Sequence, residues 1–180
     1  HALPSKDPDK TNYQKSILNI SSLKVSNNET IDFGVEKIRE CLLNKYPWLF
    51  LDRVTDLEPG KYVRVIKNFT YNEHFFPSHF PDDPSVPGFL QIETCMQAFL
   101  LTFLSLDEYK KSETADRTLK NIQVKRKVVP GDTFEMFAFL DRFSRGIAKG
   151  RVESYVNGEQ ALSFEVVAVV VNELDKFRPR

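Results

Sequence analysis

The sequence predicts an α+β chain in which one antiparallel sheet wraps a long central helix and a second copy completes the cover. Three observations predict it. Residues Gly88 to Leu106, "GFLQIETCMQAFLLTFLSL", are apolar on nearly every side, so a helix here needs protein on every side. Phe134, Met136, Ala138 and Leu140 recur at every second position, as in a half-buried strand. Leu162, Phe164, Val166, Ala168 and Val170 do the same, after an Asn157-Gly158 hairpin signal. The concave face of a curved sheet supplies part of the helix's cover, and a dimer partner supplies the rest.

The elements follow in chain order. Residues 1–30 are polar and rich in Ser, Asn and Lys, and read as an N-terminal arm; residues 31–180 read as a single domain. "DFGVEKIRECLLNKYP" places Val35, Ile38 and Leu42 at helical spacing, with Asp32 as N-cap and Pro47 ending the helix. "WLFLDRVTDLEPGKYVRVIKNFTYN" reads as two strands around a Glu-Pro-Gly turn. In "HFPDDPSVPG" the prolines exclude regular structure until the long helix begins at Pro87-Gly88. A charged link, "DEYKKSETADRT", separates that helix from the later strands.

Bulk properties narrow the function. The chain has 180 residues, 41% of them hydrophobic, enough for one domain with a real core. Twenty-five basic and 25 acidic residues cancel, so no global field draws the chain to nucleic acid or to an anionic membrane. The apolar run after Gly88 is broken by Gln91, Glu93, Thr94, Gln97 and Thr102, which favours a helix buried in protein over a membrane span. The start "HALPSKDPDK" is polar and reads as no signal peptide. Cys41 and Cys95 sit in separate helical patterns, which suggests buried free thiols in a reducing, cytoplasmic setting. There is no CxxC, and the three histidines have no metal-ligand spacing, so no metal set is expected.

Glu93 is the informative residue. A carboxylate in an apolar helix costs several kcal/mol (roughly) unless it is paired, hydrogen-bonded or protonated. Gln97, four residues on, can hydrogen-bond it. His79 lies in a loop stiffened by Pro77, Pro81, Pro84 and Pro87. Gly88 opens the helix, and its free N–H suits a carbonyl oxygen or oxyanion. A histidine base, a glutamic acid and an N–H for a carbonyl suit proton abstraction beside that carbonyl with loss of a β-hydroxyl. Each residue also has a plainer reading: a structural histidine, a surface glutamate or a partner for Arg53, and phenylalanines that merely fill the core.

The stretch "HFPDDPSVPGFLQIETCMQA" resembles the signature of the 3-hydroxyacyl-[acyl-carrier-protein] dehydratases of the FabZ/FabA type, HFPGxPxxPGxxxxExxxQ. "NKYPWLFLDRV", "NFTYNEHFF", "VKRKVVPGD" and "RGIAKGRVESYVNGE" resemble further blocks of that family, so the likeness covers about residues 31 to 172. It implies a hot-dog fold, dimeric and in some members a trimer of dimers, and no cofactor. It implies His79 as catalytic base, Glu93 of the partner subunit as acid, and Gly88 N–H as the thioester carbonyl's donor. Glu at position 93, where the FabA branch has Asp, favours the FabZ branch, which dehydrates without isomerising. Gln97 then supports the acid, and Phe89, Leu90, Phe99 and Phe103 are candidates for an acyl tunnel. An acidic carrier protein would dock on Lys125, Arg126, Lys127, Arg142, Arg145 or Lys149; a CoA thioester is the alternative substrate.

Two departures stand out: Ser78 and Asp82 occupy positions where the family usually has glycine. If either needs a left-handed backbone, the loop is strained. An acyl thioesterase and a non-catalytic acyl-thioester binding module are the competing readings.

Overall fold

A computed structural model describes residues 8–24 and 30–177, with side chains from Lys10 onward. Helix α1 (Pro8–Leu23) precedes a two-residue strand β1 (Phe33–Gly34) and helix α2 (Val35–Cys41). Strands β2 (Arg53–Glu58) and β3 (Tyr62–Asn68) lead to the loop before helix α3 (Gly88–Leu104). Strands β4 (Thr114–Val124), β5 (Thr133–Ser144), β6 (Ile147–Val156) and β7 (Glu159–Val170) and a short helix α4 (Val171–Asp175) follow. The seven strands form one sheet in the order β1-β2-β3-β5-β6-β7-β4, with every pair antiparallel.

The predicted α+β architecture is the one observed. Helix α3 lies in the concave face of the sheet, chiefly against β5, β3 and β6. Its Cys95, Ala98, Phe99, Leu101 and Phe103 are fully buried there among Val63, Val65, Met136, Ala138 and Val152. The polar residues inside the run are satisfied locally: Thr94 Oγ1 donates to the Leu90 carbonyl at 2.6 Å and Thr102 Oγ1 to that of Phe99 at 2.7 Å. The Pro59-Gly60 turn is tied to the helix by the Gly60 N–H, which donates to the Thr102 carbonyl at 2.7 Å. Gly150 shows how closely helix and sheet approach. A Cβ there would lie 2.0 Å from the Phe139 carbonyl oxygen and 2.6 Å from the Phe99 ring, so no other residue fits. Cys41 and Cys95 are buried and free, and burial pushes both thiols above their ordinary range.

Three expectations need correction. Neither end of α2 falls where the sequence put it: the helix starts after Gly34 and ends at Cys41, well before Pro47, and Asp32 pairs with Arg53 at 2.5 Å instead of capping it. That pairing also removes Arg53 as a partner for Glu93. The segment read as a charged link already contains the start of β4, at Thr114. Finally, the arm holds a helix. Tyr13, Ser16, Ile20 and Leu23 of α1 form one face, which lies on the outer face of the sheet over Tyr62, Phe137, Phe139 and Tyr155. Tyr13 meets Tyr155 edge-on at 5.2 Å, and Ser16 Oγ donates to Glu153 at 2.6 Å. Arg64 pairs with Glu135, which also accepts from the Tyr13 hydroxyl at 3.0 Å.

Strand β4 is irregular. Its register against β7 shifts between Asp116 and Thr118 and again between Lys120 and Gln123, and Asn121 has φ 54°.

Candidate active site

The loop from Tyr71 to Pro87 is held by short turns that place His79. The His79 N–H donates to the Phe75 carbonyl at 2.9 Å, and the Ser85 N–H donates back to the His79 carbonyl at 2.9 Å. The Val86 N–H reaches the Val128 carbonyl at 2.8 Å and pins the loop's far end to the segment after β4. The imidazole is half-buried and stacks on Phe80 with ring centres 4.4 Å apart. Nδ1 lies 2.9 Å from the Ser85 carbonyl, an acceptor only, so Nδ1 carries the hydrogen and Nε2 keeps a lone pair. That is the tautomer of a general base.

Neither Ser78 nor Asp82 has a left-handed backbone, so the strain expected where they replace glycine does not arise. Ser78 Oγ donates to the Phe75 carbonyl at 3.0 Å and so supports the turn. Asp82 is exposed, and its neighbour Asp83 pairs with Lys127.

Glu93 stands on α3, half-buried. Its Oε1 accepts from Gln97 Nε2 at 2.8 Å, as the i to i+4 spacing suggested. It also accepts from the Trp48 indole N–H at 3.1 Å, a partner that the sequence reading missed. Gln97 is itself fixed. Its Oε1 accepts from the Phe50 N–H at 2.9 Å, and its Nε2 donates to the Trp48 carbonyl at 2.8 Å. Glu93 opens onto a cavity of about 340 Å³ lined by Met96, Gln97, Leu100 and Leu104 of α3, with Leu43 and Asp116 opposite. Partial desolvation, then the charge of Glu93, raise the Asp116 carboxyl above its ordinary range.

Gly88 is the first residue of α3, after Pro87 in an extended conformation, so its N–H has no acceptor within the helix. A Cβ placed on Gly88 meets nothing within 4 Å. Neither backbone conformation nor packing within this chain requires glycine here, which leaves the space for another molecule.

The remaining candidates divide. Phe99 and Phe103 are fully buried in the sheet's concave face, Phe103 stacking on Phe143 at 5.1 Å, and do not line the cavity. Phe89 is 86% exposed and Leu90 half-buried at the mouth of the helix. The six basic residues form two groups. Arg126 reaches the Val156 carbonyl at 3.3 Å, beside Lys125 and Lys127, whereas Arg142, Arg145 and Lys149 flank the hairpin before β6. The groups sit at opposite ends of β6, roughly 30 Å apart along the strand. His79 does not line the Glu93 cavity, and among the described residues no hydrogen bond joins the two side chains.

A FabA-like domain profile matches residues 42–165. The 3-hydroxyacyl-[acyl-carrier-protein] dehydratase FabZ of Clostridium novyi is 36% identical over 137 residues, covering 76% of this chain and 96% of that protein. The chain belongs to the FabZ family. The FabZ of Burkholderia thailandensis is 38% identical over 149 residues, 81% of this chain and 93% of the relative. Among solved structures, the dehydratase heterocomplex ApeI:P from Xenorhabdus doucetiae superposes with TM-score 0.66 at 14% identity, over 77% of this chain and 95% of that one. The TT0310 protein from Thermus thermophilus superposes with TM-score 0.52 at 19% identity, over 67% and 92%. These likenesses establish the hot-dog fold. FabZ relatives match most of the chain. No helix among the described residues is long and apolar enough to cross a membrane.

Proposed function

We infer that this FabZ-family chain removes water from a (3R)-3-hydroxyacyl thioester to give the trans-2-enoyl thioester. The observation that carries the reading is the pair of fixed groups: His79 with Nε2 left free, and Glu93 pinned through one oxygen only. The thioester carbonyl accepts from the Gly88 N–H, which acidifies the protons on C2. His79 Nε2 takes one of them, and the C2–H electrons form the C2–C3 double bond. The 3-hydroxyl leaves with the proton of Glu93, as water. His79 is then protonated and Glu93 ionised, and proton exchange with solvent restores both.

His79 of one protomer works with Glu93 of the partner subunit. The separation of the two groups within one chain supports this arrangement, as do the exposed Trp48, Phe80 and Phe89 around them, which need cover. The acyl chain follows the α3 face of Met96, Leu100 and Leu104. The carrier protein docks on Lys125, Arg126 and Lys127, because Lys127 joins the His79 loop through Asp83. Reversing the charge of Lys125 and Lys127 raises KM for a carrier-linked substrate and spares a CoA-linked one; reversing Arg142 and Lys149 changes neither. Equal effects of the two groups would remove the docking assignment.

Mixed dimers test the shared site. His79→Ala and Glu93→Gln homodimers lose nearly all hydration of a crotonyl thioester. Co-expressed at random they recover about a quarter of wild-type activity, since half the dimers are mixed and one site in each is intact. No recovery in proven mixed dimers would place both groups in one chain.

A further inference from the structure

The geometry points to Trp48 as a positioning residue that fixes which oxygen of Glu93 carries the catalytic proton. The inference rests on the dehydratase reading and deepens it. Two donors converge on Glu93 Oε1, Gln97 Nε2 at 2.8 Å and Trp48 Nε1 at 3.1 Å, and among the described residues none donates to Oε2. An indole N–H donates only, and the Gln97 amide presents its NH₂ side because its oxygen is taken by the Phe50 N–H. A proton on Oε1 would therefore face two N–H groups with no acceptor. It resides on Oε2, the oxygen left for substrate.

The donors also act at the right moment. As Glu93 gives up its proton, negative charge develops on the carboxylate, and a hydrogen bond to a charged oxygen is about twice as strong as one to a neutral group. Trp48 thus stabilises the state that follows proton transfer more than the one before it. The ring is well placed to hold this bond, for it rests edge-on against Phe50 at 5.2 Å. The backbone of Trp48 is tied into the same constellation, because its carbonyl accepts from Gln97 at 2.8 Å. Among the described residues, the other ionisable groups lining the same cavity are Glu113 and Asp116, in the segment entering β4. Both are acids, so neither can replace the N–H.

Trp48 is the chain's single tryptophan, which makes the hydrogen bond observable. In the unmodified protein the indole emission responds to the charge on its hydrogen-bonded partner and so steps with pH. The step disappears in Glu93→Gln and persists in Asp116→Asn and Glu113→Gln. Trp48→Phe keeps an aromatic ring on Phe50 and removes only the donor. It lowers kcat by about ten-fold with KM within about two-fold, and moves the high-pH limb of the kcat profile to higher pH, because the ionised form has lost a donor. The melting temperature of Trp48→Phe stays at the wild-type value. An emission step that survives Glu93→Gln, or an unmoved limb with wild-type kcat in Trp48→Phe, would overturn the assignment. Absence of turnover in the wild type itself would instead overturn the dehydratase reading, and the emission titration would still report on the hydrogen bond.

Discussion

The two faces of the sheet are both covered by a helix, and they are covered differently. On the inner face α3 presses against the strands so closely that Gly150 has no room for a Cβ, yet one side of the helix is left open as the Glu93 cavity. On the outer face α1 brings fewer apolar groups and closes them with a network of Tyr13, Arg64, Glu135, Ser16 and Glu153. The inner face combines tight packing with an unfinished side, and Glu93 opens onto that side. The outer face is closed by that network. Burial on its own therefore does not mark the site; a polar group anchored beside open space does.

The sharpest break of this comparison is Phe99→Ala against Ile20→Ala. The first opens a cavity between α3 and Gly150 and costs about 3–5 kcal/mol. The second removes the middle contact of α1 and costs about 2 kcal/mol, at the low end for a buried isoleucine, because one side of α1 is solvated. Denaturant unfolding measures both. Dehydration by Ile20→Ala at a temperature where it remains folded equals that of the wild type. Lost activity there would give the outer face a part in the chemistry.

Gly88→Ala should do the reverse of Ile20→Ala. The added methyl meets nothing within 4 Å in this chain, so the melting temperature holds. Activity falls about ten-fold, close to 1.4 kcal/mol, as the methyl crowds the thioester at the N–H it must approach. Steady-state kinetics beside a thermal melt separates the two readouts.

The smallest effect concerns Asp116. Its carboxyl is raised in the folded chain, so the folded state holds this proton to higher pH than the unfolded chain does. Stability from this group is full below the ordinary carboxylate range and is lost as pH rises through the raised value. Asp116→Asn removes that slope and raises the melting temperature at neutral pH by about 1 °C, a small gain because the group is exposed and screened. Melts at pH 4 and pH 7 check it: the gain appears at the higher pH only.

Much of the site was legible because its residues contradict their surroundings. A histidine among prolines, a glycine opening a helix and a lone acid in an apolar run each stand out in the sequence, and in the structure none of the three is fully buried. Gln97 was legible from spacing. Trp48 was not, since it is 45 residues from Glu93 and meets it only through the fold. The residues lining the Glu93 cavity were passed over for a different reason. Phe99 and Phe103 attract attention by size, but Glu93, Gln97, Leu100 and Leu104 recur at i, i+4, i+7 and i+11, and that face was readable from the acid onward. Helix α1 was obscured because Tyr13 and Ser16 supply half of its contact face, and a serine does not register in a hydrophobic pattern. The start of β4 was hidden because an edge strand exposed on both sides need not alternate.

That edge has a consequence for the chain's behaviour at high concentration. At one end the sheet stops with β1, two residues long, and offers little to bind. At the other, β4 leaves eleven residues along an open edge, with Ile122 and Val124 exposed. A straight edge of this length would recruit strands from unrelated molecules and seed insoluble aggregates. Here the left-handed Asn121 and the two register shifts bend the ladder, so a foreign strand keeps step for only a few residues before its hydrogen bonds miss their partners. The kink at Asn121 thus limits strand addition along this edge of the single chain, and β-branched residues at that position would remove the limit.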